Sequence, residues 1–204
     1  MGLQPFNPTQ YEMDYIPQRL RGLEICVLAC YAVLSGKANS SALSIDFGTS
    51  RISEPDLRIF VDLAIDAGLI ANRTLLNFMG IKLDNNSLVN ASQGLTLMKY
   101  GLPLTPVADA IEILAPAVPG AALRVILIEM LSTASKSIAH FTEKGATISV
   151  ARLGFAGYAT SLLVRKWFYQ ARMATEPLSM IPSHVAPQYG GVWDAVPPSG
   201  ERER

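Results

Sequence analysis

The chain has 204 residues, of which 50% are hydrophobic and 17% charged, with 17 Lys and Arg balancing 17 Asp and Glu. Apolar content at this level supports a packed core and excludes disorder over most of the length, and two cysteines are too few for a disulfide scaffold. A net charge of zero excludes a general pull toward nucleic acid or acidic lipid, so any such partner has to be met by a local patch.

Pro17 suits the first turn of a helix over residues 18–35, which Gly36 stops. Its apolar run Leu23 to Leu34 is too short to span a bilayer. Glu24 interrupts that run, and Glu12, Asp14 and Pro17 precede it, which does not fit an export leader. The expectation is a cytoplasmic protein without an integral membrane segment, in which Cys26 and Cys30 are buried, reduced thiols. Asn39, Asn72, Asn85 and Asn90 match the glycosylation pattern but carry no meaning without export.

Residues 37–51 read as a loop with a short extended piece at Leu43 to Phe47. Ser53, Glu54, Pro55 and Asp56 then make a helix start: a hydroxyl cap, a proline near the first turn and acids where the dipole favours them. At 100° per residue, Leu57, Val61, Ala64, Gly68, Leu75 and Met79 share one stripe, with Asp62, Asp66, Arg73 and Asn77 opposite. Gly68 is a place where this helix could bend.

Periodicity is lost from Gly80 to Thr105, a connection long enough to be functional or partly structured. A short helix follows to about Leu114, ended by Pro116 and Pro119. Residues 121–144 form the clearest helix, with Leu127, Leu131, Ala134, Ile138 and Phe141 toward the core and Glu129, Lys136, His140 and Glu143 opposite. A final helix over residues 148–174 alternates small residues (Gly154, Ala156, Gly157, Ala159) with large ones, which lets another helix approach closely. The predicted fold is all-α: a bundle of four long helices and one short helix over residues 1–176, with a long irregular loop. An extended Pro-rich tail over residues 177–204 follows, pinned by Trp193.

The chain has no Gly-rich phosphate loop, nucleophile elbow, HExxH or cysteine cluster, so no metal site and no cofactor is expected. The polar stripes hold the remaining chemistry: Asp66, Arg73 and Asn77 on one helix, Lys136, His140 and Glu143 on another. They can meet in a groove, under the long loop or across a dimer interface. An imidazole moving a proton beside a guanidinium that offsets phosphate charge suits phosphodiester cleavage. The run Arg165-Lys166-Trp167-Phe168-Tyr169-Gln170-Ala171-Arg172 mixes cations with aromatics, as an RNA-binding segment would. The same run near a helix end also fits cations complementing the dipole and aromatics packing inward.

The stretch Ala71-Asn72-Arg73-Thr74-Leu75-Leu76-Asn77-Phe78 resembles a segment of bacterial helical proteins in which His-x-Arg precedes Leu-Leu-x-Phe. Ser135-Lys136-Ser137-Ile138-Ala139-His140-Phe141-Thr142 resembles their second motif, Asn-Lys-x-x-Ala-His-Leu-Thr. Together these are similar to HEPN-like helical bundles, many of which are metal-independent ribonucleases or RNA-associated dimers. Ala71 stands where the first motif has His, Ser135 where the second has Asn, and Lys136 where HEPN nucleases carry an Arg four to six residues before the His. The resemblance implies a homodimer in an RNA-linked or defence-type role, as a metal-independent endoribonuclease or a degenerate, non-catalytic member. Arg73, His140 and Lys136 would be catalytic, with Asp66, Asn77, Glu143, Arg165 and Lys166 binding. A structural or protein-interaction bundle and a membrane-peripheral protein are the competing readings.

Overall fold

The computed structural model describes residues 6–39, 42–136, 148–187 and 193, apart from the side chains of Phe47 and Lys136. Asn7 caps the first short helix, α1 (Pro8–Gln10), by accepting a hydrogen bond from the Gln10 N–H at 3.3 Å. The chain then widens into a π-helical segment, Tyr11–Tyr15, and runs on as α2 (Ile16–Leu34). The strands β1 (Leu43–Phe47) and β2 (Ser50–Glu54) pair antiparallel and lead to α3 (Arg58–Phe78). A second antiparallel pair follows, β3 (Ile81–Asp84) with β4 (Ser87–Asn90), and then a 3-10 turn over Leu97–Tyr100. Helices α4 (Val107–Ile111), α5 (Gly120–Lys136) and α6 (Val150–Val164) complete the order, and α6 runs into a second π-helical segment, Arg165–Gln170.

The molecule is therefore mostly helical, and the expectation of a purely α fold is corrected by the two hairpins. The helix inventory also departs from four long helices and one short, since π turns precede α2 and follow α6. Asn85 and Asn86 both adopt positive φ, 46° and 60°, which is the backbone a tight type I′ connection between β3 and β4 requires. The predicted cap at Ser53 is displaced: Ser53 and Glu54 pair with Ser44 and Leu43 in the first hairpin. Asp56 takes over, accepting from the Arg58 N–H at 2.9 Å.

The core lies where α2 packs against both α3 and α6, with α5 against α6 and α3. The apolar stripe of α3 holds, with Val61, Ala64, Gly68, Leu75 and the capping Met79 all buried. The helix runs unbroken through Gly68, where an added Cβ would collide with the Cβ and Sγ of Cys26 on α2. Gly157 brings α6 just as close: a Cβ there would stand 2.9 Å from Val27 Cγ2. Trp193 is buried against Phe155 and Tyr31, with ring centroids 5.9 and 6.3 Å apart.

Candidate functional site

On α3, Asp66 is exposed, while Arg73 and Asn77 are half-buried. Arg73 has no hydrogen-bond or ion-pair partner among the described residues. His140 and Glu143, and the side chain of Lys136, lie outside the described residues. Glu129, placed by periodicity on the polar face of α5, is half-buried and holds Arg152 of α6 through two contacts of 2.5 and 2.6 Å. Part of that face is thus a tie between helices.

Arg165 and Lys166, adjacent in sequence, have opposite surroundings. Lys166 is exposed, its ammonium 5.8 Å from the centre of the Trp167 ring. Arg165 is buried: where α6 runs into the π turn, four positions after Ser161, it faces Glu24 of α2. Its Nη2 donates to Glu24 Oε1, and its Nη1 to Glu176 Oε1 and to the Pro177 carbonyl, each at 2.6 Å. Ser161 Oγ donates to the same Glu24 oxygen at 2.7 Å and accepts from Arg165 Nε at 3.3 Å. The Met180 N–H donates to Glu24 Oε2 at 2.8 Å. Burial alone would lower the pKa of Arg165, but the hydrogen bonds to Glu24 and Glu176 outweigh it and hold the pKa above its ordinary value.

This network seams α2, α6 and the segment after residue 176 into one unit, and a pocket of about 470 Å3 lies beside it, lined by Tyr158, Ser161, Arg165 and Glu176 among others. The guanidinium is occupied on both faces of its fork, so it does not offer a phosphate the bidentate grip that an RNA contact would use. Glu24, its main partner, had one signal in the sequence: a lone acid inside an apolar helical run, which needs a buried cation.

A second cluster joins the chain's beginning to the end of α6. Phe78, Tyr100 and Phe168 pack edge to face, with centroids 5.0 to 5.8 Å apart. Arg172 lies over Tyr100 and Phe168, at 5.1 and 5.7 Å, and its Nη2 donates to Glu12 Oε2 at 2.9 Å. Tyr100 donates its hydroxyl to the Pro8 carbonyl at 3.2 Å. Burial first, and the negative field of Glu12 second, push the Tyr100 phenol up to about 12. Burial also raises the pKa of Tyr169, whose hydroxyl has no partner among the described residues.

The aromatic half of the Arg165 to Arg172 run therefore packs into the bundle, with Phe168 and Tyr169 buried. Cys26 and Cys30 are buried free thiols, and the hydrogen bond with Cys26, followed by burial, raises the Cys30 pKa well above its usual value. Among the described residues no group of three or more His, Cys, Asp or Glu could hold a metal ion, and no helix is long and apolar enough to cross a membrane.

No protein-family model, curated protein or solved structure matches the chain. What the described residues themselves define is a class: a mainly helical protein with two hairpins, a buried ion-pair seam and an aromatic cluster that joins its early and late elements.

Proposed function

We infer that the chain is a cytoplasmic interaction protein that pairs with a second copy of itself through the outer face of α3. The observation that carries this is a row of large apolar side chains left in water. Ile59, Phe60, Leu63 and Ile70 are 50%, 39%, 65% and 40% exposed. They fall within a sector of roughly 100° on the side away from the core. A contiguous apolar face of this kind on a folded protein marks an interaction surface.

The apolar part of the face can also pair with its own copy, with the exposed Asp66 of each copy brought to the shared flank near the axis. Laid antiparallel on a second α3 about a two-fold axis near residues 66 and 67, it sets Leu63 against Ile70 of the other copy. In such packing, residues on one flank meet residues on the same flank. Asp62 and Arg73 share a flank, so each acid approaches the other copy's guanidinium. This gives Arg73, unpaired among the described residues, an anionic neighbour.

Sedimentation equilibrium tests the reading. The expected result is a wild-type dimer that Leu63→Asp weakens by more than about tenfold, as for a residue central to an interface. A wild type that stays monomeric, or a variant that associates equally well, overturns it.

The HEPN-like, RNA-linked reading stands as a second proposal. It is favoured by Arg73, half-buried and unpaired among the described residues, lying on the flank of this face. Incubating the same preparations with RNA tests it, and equal cleavage by wild type and His140→Ala rejects a catalytic role for the imidazole.

A further inference from the structure

The geometry points to a ligand site for an aromatic carboxylate at the junction of the first π-helical segment, α2 and the end of α3. A pocket of about 450 Å3 opens there, within the range of roughly 300–1,000 Å3 that holds small organic ligands. Tyr11 and Tyr15 supply its aromatic side, and Ile16, Leu75 and Phe78 its buried apolar surface. Arg19 is the one charged group among its lining residues, and it has no hydrogen-bond or ion-pair partner among the described residues.

The local backbone builds the aromatic wall. Across the Tyr11–Tyr15 segment the Ile16 N–H reaches back five residues to the Tyr11 carbonyl in a π turn, and the two tyrosines, four positions apart, hold their rings in contact, centroids 4.8 Å apart. Such turns are uncommon and frequently occur at functional sites. Behind the pocket, Phe78 is held edge to face by Tyr100 and Phe168, so the apolar surface is backed by a packed aromatic cluster.

The ligand class follows from these walls. Flat rings and aliphatic side chains favour an aromatic body, and the exposed Arg19 guanidinium, unpaired among the described residues, favours an anion that can take both arms of its fork. A carboxylate fits that fork with one negative charge against one positive. A phosphate monoester would bring close to two negative charges to a single cation.

Fluorescence titration of the full chain tests the proposal with two probes: 8-anilinonaphthalene-1-sulfonate, an aromatic anion, and N-phenyl-1-naphthylamine, its uncharged counterpart. The expected result is one anionic probe bound per chain and displaced by 1-naphthoate. Arg19→Gln should weaken the anionic probe about tenfold, as loss of a charge-assisted contact does, while leaving the neutral probe within about twofold.

Thr74→Trp, on the pocket rim, should weaken both probes, with far-ultraviolet circular dichroism confirming that each variant is folded. Unchanged anionic-probe affinity in Arg19→Gln overturns the proposal. So does probe binding that is lost in Leu63→Asp and retained in Thr74→Trp, which would place the probe on the outer face of α3. Displacement by adenosine monophosphate and not by 1-naphthoate overturns the carboxylate assignment in favour of a nucleotide.

Discussion

The guanidinium of Arg165 meets Glu24, Glu176 and a backbone carbonyl, each at 2.6 Å, in a place where Glu24 is only 1% exposed. Two acids face one base, and Glu176, whose side chain is 35% exposed, keeps the excess charge in touch with water. Removing one member of such a pair leaves the other charged and desolvated, which costs about 3–5 kcal/mol. Arg165→Met is accordingly expected to lower the unfolding free energy by that amount in urea titrations. Adding Glu24→Gln should recover part of the loss, because the stranded charge is gone. A loss below about 1 kcal/mol would mean that solvent screens the pair as it does at a surface. Neither partner was legible as such from spacing: the two lie 141 positions apart, and Arg165 sits in a cationic, aromatic run that an RNA-binding segment would share.

Helices whose one face is buried write that burial into the sequence as a 3.6-residue period, which is why α3 and α6 were foreseen from Val61, Ala64 and Leu75 and from the small residues Gly154 and Gly157. Strands of four or five residues leave a fainter trace: Leu43–Phe47 reads as an extended piece in the sequence, whereas its partner strand and the second hairpin do not. The first hairpin claims the backbone of Ser53 and Glu54, overriding a good capping sequence, and the second hides in the pair Asn85 and Asn86, whose positive φ makes the turn. A π turn uses the same residue types as an α turn, so neither π segment was visible, and the tyrosine pocket went unseen with them. On the outer face of α3 the sequence marks Asp62, Asp66 and Arg73 as the polar side, and only the structure shows that Ile59, Leu63 and Ile70 beside them are exposed as well. At this scale Gly68 decides how close α2 and α3 lie. Gly68→Ala gains about 1 kcal/mol of helix propensity, but its Cβ meets the Cβ of Cys26, which cannot rotate aside. A net destabilisation of about 1–3 kcal/mol is expected by thermal and urea denaturation. A stabilised variant would show that the two helices do not pack at this point.

Across the whole molecule, Tyr100 ties the chain's beginning to its later helices, bonding Pro8 92 positions away and stacking beneath Arg172. Its phenol is pushed up to about 12 in the folded state, against about 10 in an unfolded chain. The fold therefore favours the protonated form, so this contribution to stability is complete below pH 10 and is lost as the pH rises from 10 toward 12. Wild type should lose more stability over that window than Tyr100→Phe, measured as unfolding free energy at successive pH values. Equal slopes would mean that Tyr100 ionises alike in both states. The Glu24 seam has its own consequence for how the molecule is made. Its carboxylate is made well before its partners: Ser161, Arg165 and Met180 follow 137, 141 and 156 residues later. At ribosomal speeds of about 5–20 residues per second, the acid waits roughly 7–30 s for its counterparts. A nascent chain stalled before residue 161 lacks most of the α6 surface that covers α2 in the finished fold, and exposed apolar surface of that kind is what chaperones shelter.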